Sequence, residues 1–202
     1  MDIQTCKKTA GKTCLFVYQN NEKTTDELIT SSVKSYLGKD EKIIIERKEK
    51  GKPYITTPFG VFISVSHSGE YCIVAVSDIE IGVDIQIHER LRGETEFDSN
   101  ERYQKLAKRF FHPEENEFVN LNVKQNFFDI WSAKESYVKY TGEGIDDNFW
   151  TYSILPENTK EMETSWSKNN VFFEKIKFCK GYSLCLCSEN KTKIEIISCN
   201  EV

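Results

Sequence analysis

A carboxylate on the core-facing side of a helix is the residue in this sequence that most needs a chemical explanation. Glu135 shares one helical stripe with Phe128 and Trp131, where an unpaired carboxylate is costly to desolvate. Lys139, four residues on, could form an ordinary helical pair with it, and Lys134 is adjacent. Such a pair does not explain why the carboxylate lies on the apolar stripe, whereas a metal ion or another bound cation would.

A second group of polar residues lies on a predicted strand. Asp84 and Gln86 are two residues apart, so an extended chain projects both from one face, with Val83 and Ile85 on the other. A half-buried strand with a solvated face has the same pattern. Gly82, just before them, permits close approach of another backbone. The pair is a candidate site that the spacing alone does not decide.

A short polar turn and two glycines complete the candidates. Ser66 and His67 are adjacent on an extended chain and point opposite ways, and no GxSxG elbow is present, so a serine hydrolase is excluded. A lone histidine in a turn is more often exposed or hydrogen-bonded than catalytic. Lys52, Gly142 and Gly144 are candidates for phosphate contact through an ammonium and free backbone amides, although neither cluster is a Walker loop.

The elements that would position these residues indicate an α+β protein with two halves, residues 1–95 and 96–202. The strongest β signal lies at 59–87, where three segments separated by turns predict an antiparallel meander. The polar stretch 89–100 has no periodicity and predicts a linker. We expect helices at 25–37, 101–111, after Pro113 and at 125–140, and further strands at 14–18, 43–45, 170–178, 182–187 and 193–198.

The composition limits the classes of function. The 202 residues include 27 Lys and Arg against 32 Asp and Glu, a formal charge of −5, whereas nucleic-acid binders carry a basic excess. No run approaches the roughly 18 apolar residues that cross a bilayer, and the first residues lack a signal-peptide pattern. The seven cysteines include no CxxC pair. We therefore expect reduced thiols, no zinc site and a cytoplasmic protein that binds neither nucleic acid nor membrane.

Taken in order, four segments resemble one family. They are 51–54 (GKPY), 62–69 (FISVSHSG), 82–86 (GVDIQ) and 131–139 (WSAKESYVK), closed by 142–144 (GEG). Over about residues 51–145 the chain resembles the 4′-phosphopantetheinyl transferases of the two-lobed, surfactin-synthetase-activating type. The resemblance implies two pseudo-symmetric α+β halves with coenzyme A and Mg²⁺ in the cleft between them. It also implies transfer of the phosphopantetheine arm to a serine of an acyl or peptidyl carrier protein, releasing adenosine 3′,5′-bisphosphate.

The resemblance assigns catalytic and metal-binding roles position by position. Asp84 and Glu135 match the family's metal-binding carboxylates, and Gln86 occupies the place of a third ligand. Lys134 and Lys139 match helix lysines near the pyrophosphate. Asp84, Glu135 and Lys139 are thus the expected catalytic residues. The serine proton would go to Glu135 or to a metal-bound water, and both remain open.

Further positions match coenzyme contacts. His67 matches a histidine that contacts the 3′-phosphate, and Ser66 and Lys52 match other coenzyme contacts. Glu115 matches an acidic position near the reacting centre. The basic cluster that many members direct at the 3′-phosphate has no clear counterpart, and Arg47, Lys48 and Lys50 are the available substitutes.

One departure from the family leaves an alternative open. Gln86 is neutral where many members carry glutamate, so we expect an active enzyme with weaker or altered metal preference. The alternative is a catalytically weakened module of the same fold that binds coenzyme A or carrier protein. An unrelated metal-dependent phosphohydrolase would normally need a denser carboxylate cluster. Two halves within one chain favour a monomer.

Overall fold

A computed structural model describes residues 11–20, 22–89, 91–144, 149–156 and 159–199. Their regular elements are two four-stranded sheets, one two-stranded hairpin and four helices. In spatial order the strands of the first sheet are β10 (Lys193–Ser198), β1 (Lys12–Gln19), β5 (Tyr71–Ser77) and β4 (Phe62–Ser68). Strand β1 pairs in parallel with β10 and antiparallel with β5, which in turn pairs antiparallel with β4.

The second sheet is antiparallel throughout and draws its first strand from the middle of the chain. In spatial order its strands are β6 (Ile81–Ile87), β9 (Tyr182–Ser188), β8 (Val171–Lys175) and β7 (Ser165–Lys168). A separate hairpin consists of β2 (Ile44–Arg47) and β3 (Pro53–Thr57).

The helices begin and end where local capping chemistry dictates. They are α1 (Thr25–Leu37), α2 (Glu96–Phe110), α3 (Pro113–Val119) and α4 (Val123–Thr141). A capping box formed by Thr24 and Glu27 starts α1, and Gly38 ends it in the left-handed conformation. Gly142 ends α4 in the same way.

Three apolar clusters define the layers. The inner faces of the two sheets pack on each other, with Leu15 and Ile73 from the first and Val83 and Leu184 from the second. Helix α1 covers the outer face of the first sheet, and α2, α3 and α4 cover the outer face of the second. Because Val83 points inward, the alternate residues of β6 point outward under α4.

The α+β class is confirmed, but the predicted meander at 59–87 is wrong. Strands β4 and β5 form the expected hairpin, whereas β6 leaves them and pairs with β9. Each sheet contains strands that lie far apart in the sequence. Strand β6 is in one sheet with strands that follow residue 160, and the last strand, β10, pairs with the first, β1. The division at residues 95 and 96 into pseudo-symmetric halves therefore stays a prediction.

Several boundaries also differ from expectation. The predicted linker at 89–100 is wrong in its second half, because Thr95 and Asp98 form a capping box that starts α2 at Glu96. Strands β3 and β7 were absent from the expected elements. Each has only four or five residues, which gives little alternation to detect.

The state of the cysteines and the lengths of the helices can be compared with the expected reduced thiols and the expected lack of a membrane span. Free thiols in the described part of the chain include Cys72, Cys179, Cys185, Cys187 and Cys199. The expectation of reduced thiols is wrong for Cys14, which is disulfide-bonded, and Cys6 lies outside the described residues. Among those residues, every helix is too short or too polar to cross a bilayer.

Candidate active site

Asp84 is the centre of a polar network under α4. Its carboxylate is only 2% exposed, on the outward face of β6. The Ser66 hydroxyl (2.8 Å) and the Lys139 ammonium (2.6 Å) both donate to Oδ1. The Gln86 amide donates to Oδ2 (2.9 Å). The buried charge is thus stabilised by three donors, one of them cationic.

Glu135 lies one helical turn before Lys139 and completes the network with a second carboxyl group. Burial, and after it the negative charge of Asp84, raises the pKa of Glu135 to about 7, while the Lys139 ammonium acts in the opposite direction. The fold therefore brings together the strand and helix carboxylates that lie about fifty residues apart in sequence.

The close approach of α4 to β6 depends on a glycine. A Cβ atom added at Gly82 would overlap the carbonyl oxygen of Ser136 and the backbone nitrogen of Tyr140. Helix and strand are therefore in direct backbone contact at this point. The contact holds Glu135 and Lys139 over Asp84.

Two cavities flank the network, and they differ in character. One, of about 250 Å³, is basic and is lined by Lys50, Lys52 and Lys139 together with Gly142 and Gly144. The other, of about 340 Å³, is lined largely by aromatic and apolar side chains. Its walls include Gln86, Tyr103, Leu106, Phe127, Phe128 and Trp131.

Comparison with known proteins decides the family. Residues 80–187 match the 4′-phosphopantetheinyl transferase superfamily. The chain is 33% identical over 164 residues to 4′-phosphopantetheinyl transferase gsp of Aneurinibacillus migulanus, a match covering 74% of this chain and 60% of that protein. This chain belongs to the 4′-phosphopantetheinyl transferase superfamily.

Other members of the superfamily show similar matches. The chain is 26% identical over 149 residues to 4′-phosphopantetheinyl transferase Sfp of Bacillus subtilis strain 168, covering 70% of this chain and 61% of Sfp. It is 30% identical over 150 residues to L-aminoadipate-semialdehyde dehydrogenase-phosphopantetheinyl transferase of Xenopus laevis, covering 66% and 47%. The matches thus span roughly half to three fifths of these relatives.

The network fits the magnesium ion that the superfamily resemblance implies. Mg²⁺ in proteins takes oxygen ligands, commonly one or two carboxylates, with phosphate and water completing its shell. Asp84 and Glu135 supply two carboxylates whose mutual repulsion a cation would relieve, and Gln86 supplies an amide. Among the described residues, no group of three or more His, Cys, Asp and Glu side chains is placed to hold a metal ion. The protein ligands of a metal at this site would therefore be two carboxylates and the Gln86 amide.

Lys134 and Glu115 are not brought to this network. They form an ion pair (3.0 Å) in which both side chains are fully buried. Lys134 also donates to the Tyr152 carbonyl (2.7 Å), and Glu115 accepts from the backbone of His112 and Ile154. These contacts are those of a structural anchor between α3 and α4. The roles near the pyrophosphate and the reacting centre that the resemblance implies for the two residues remain predictions.

The remaining predicted coenzyme contacts are distributed around the network. Lys52 is close to it but is ion-paired with Glu80 and donates to the Tyr140 carbonyl (3.1 Å). His67 is exposed on β4, whereas Ser66 beside it is buried, as their opposite orientation predicted. Their contacts with a coenzyme remain predictions.

Three features of the site were not assigned from the sequence. Gly82 was noted only for close approach, and its contact with α4 required the fold. Glu80 and its pairing with Lys52 gave no sequence signal. The serines at alternate positions of β4, Ser64 and Ser68 with Ser66 between them, were visible as a period of two.

Proposed function

We propose that this chain is a Mg²⁺-dependent 4′-phosphopantetheinyl transferase. It would move the phosphopantetheine arm of coenzyme A to a serine of an acyl or peptidyl carrier protein. The observation that supports this most is the meeting of Asp84 on β6 with Glu135 and Lys139 on α4, between a basic and an apolar cavity. A cytoplasmic, monomeric protein is part of the same proposal.

The two cavities suit the two chemically different ends of coenzyme A. Lys139 lines the basic cavity, Gln86 lines the apolar one, and both donate to Asp84. A nucleotide with its phosphates would occupy the basic side, near Lys52, and the uncharged pantetheine arm would occupy the aromatic side. The diphosphate that joins them would then lie over Asp84.

Asp84 and Glu135 would hold the metal, with Gln86 as a third, neutral contact. Mg²⁺ bound there would neutralise the charge that develops on the diphosphate. Lys139 would act beside it as a fixed ammonium, already held at 2.6 Å from Asp84 and 27% exposed towards the basic cavity. Gln86 gives the site one negative charge fewer than a glutamate would, so we expect weaker metal binding than with Glu.

The transfer step itself needs an aligned nucleophile and a proton acceptor. The carrier serine oxygen bonds to the phosphorus on the pantetheine side, and the bond from that phosphorus to the bridging oxygen breaks. Adenosine 3′,5′-bisphosphate leaves. Glu135 or a water held by the metal would accept the serine proton.

The experiment is transfer of labelled coenzyme A to an apo carrier protein, with and without Mg²⁺. Asp84→Asn is expected to lower the rate by about 10³-fold or more, as for loss of a group that stabilises transition-state charge. Asp129→Asn is the matched control, because Asp129 is a buried carboxylate with serine, glutamine and lysine donors of its own. Equal rates for wild type and Asp84→Asn would refute the site. Coenzyme binding without any transfer would favour a binding module instead.

A further inference from the structure

Three serines of β4 join the edges of the two sheets. The hydroxyl oxygens of Ser64, Ser66 and Ser68 accept hydrogen bonds from alternate backbone N–H groups of β6, at 2.9, 3.2 and 3.0 Å. The donors are Val83, Ile85 and Ile87. The backbone N–H groups on this edge of β6 are thus paired with side chains of β4 and not with the backbone of a neighbouring strand. We call these three residues the serine ladder.

Ser66 differs from the other two members of the serine ladder in one contact. Besides accepting from Ile85, its hydroxyl donates to Asp84 Oδ1 at 2.8 Å. A serine has a single O–H donor, so this donor is already used. Ser66 is also only 4% exposed. In this arrangement the hydroxyl proton is directed at Asp84.

We infer that Ser66 is a positioning residue, which fixes the Asp84 carboxylate to the junction between the sheets. The hydroxyl holds Oδ1, while Oδ2 accepts one bond, from Gln86, and keeps acceptor capacity for a cation. The coenzyme contact that the family resemblance implies for Ser66 is the competing role, and the second test below separates the two. In its kinetic consequences the inference rests on the proposed transferase function.

The first test is a calorimetric titration of the purified chain with MgCl₂. Ser66→Ala is expected to weaken Mg²⁺ binding by about 10- to 100-fold, as outer-shell partners of metal ligands typically do. Ser64→Ala and Ser68→Ala are matched controls, because each removes one rung of the serine ladder without touching Asp84. All three variants should lower the midpoint of urea unfolding similarly, while the controls keep Mg²⁺ affinity within about twofold.

Equal Mg²⁺ affinity in all three variants would overturn the inference. Should Ser66→Ala fail to fold, Ser66→Cys carries the same comparison, since a thiol is a weaker donor of similar shape. Unchanged Mg²⁺ binding in Ser66→Cys would likewise overturn it, and weaker binding would support it.

The second test separates this role from coenzyme contact. In steady-state transfer at saturating Mg²⁺, Ser66→Ala should lower kcat and leave KM for coenzyme A unchanged, because its defect lies in placing Asp84. A raised KM for coenzyme A at unchanged kcat would show that the hydroxyl contacts the coenzyme and would overturn the inference. A wild-type chain that binds Mg²⁺ yet transfers nothing would refute the proposed function and leave the titration result standing.

Discussion

Asp84 and Asp129 are two buried aspartates with the same kinds of donor and different surroundings. Asp129, on α4, is 3% exposed and accepts hydrogen bonds from Gln125 (3.0 Å), Ser183 (2.5 Å) and Lys175 (3.1 Å). Asp84 accepts from a glutamine, a serine and a lysine as well. The donor set alone therefore does not make a carboxylate a ligand site.

The neighbours of the two aspartates make the difference. Burial, and after it the charge of Asp84, raises the pKa of Glu135, so a cation placed there would meet two carboxylates. Lys139 and Gln86, which both donate to Asp84, each line one of the two cavities. Beside Asp129 lies His88, which shares a hydrogen bond with Ser183 and whose pKa burial lowers to about 4. A neutral imidazole places no second negative charge beside Asp129, so no repulsion there would be relieved by a cation. The first aspartate is arranged for a ligand and the second for stability.

The largest expected effect on stability lies at a third carboxylate of the same helical layer, Glu115. Because its pair with Lys134 is fully buried, Lys134→Met should lower the free energy of unfolding by about 3–5 kcal/mol, the cost of stranding a buried charge. The double variant Lys134→Met/Glu115→Leu should recover much of that loss. Urea denaturation of both variants checks this, and a loss below about 1 kcal/mol in Lys134→Met would show that the pair is not an anchor.

Gly82→Ala should disturb Asp84 and spare Asp129. The added methyl group would push α4 away from β6 at Ser136 and Tyr140, at a cost of about 1–3 kcal/mol in unfolding free energy. Transfer activity should fall by about 100-fold, because small displacements of positioned groups are that costly. Denaturation and transfer assays on the same preparation test this. Normal activity would mean that the helix position is not critical.

Substitution of the two aspartates by asparagine should have opposite consequences. Asp129→Asn should mainly lower the stability of the fold, and Asp84→Asn should mainly lower the transfer activity. Asp129→Asn weakens three hydrogen bonds and should lower the unfolding free energy by about 1–3 kcal/mol. Asp84→Asn also removes the charge that opposes ionisation of Glu135, so its net change should stay within about 1 kcal/mol. Thermal unfolding without metal compares them. Equal destabilisation would undo the distinction between the sites.

The most gradual expected effect is on the pH dependence of stability. The pKa of Glu135 is about 7 in the folded chain against an ordinary 4.5. Between these values the folded chain holds a proton that the unfolded chain has released, so stability should fall as pH rises from 4.5 to 7 and level off above. Relative to Glu135→Gln, the wild type should lose up to about 3 kcal/mol over that range, at about 1.4 kcal/mol for each pH unit. Parallel curves for the two proteins would contradict the pKa shift.

The sequence predicted the site better than the connections that build it. Alternation on β6 and the stripe on α4 are local patterns, and they placed Asp84, Gln86 and Glu135 correctly on their elements. The partner of β6 depends on pairing with Cys185 and its neighbours, about a hundred residues later, and local signals do not encode it. Burial of Lys134 likewise depends on Glu115 and Tyr152, whose contacts arise only in the folded chain.

The central claim is that Asp84 and Glu135 share one cation against a diphosphate. A crystal structure of the chain soaked with coenzyme A and Mg²⁺ tests it most directly. We predict an ion with carboxylate oxygens of both residues at about 2.0–2.1 Å and diphosphate oxygens in its shell. An ion or diphosphate bound away from these two carboxylates would contradict the claim.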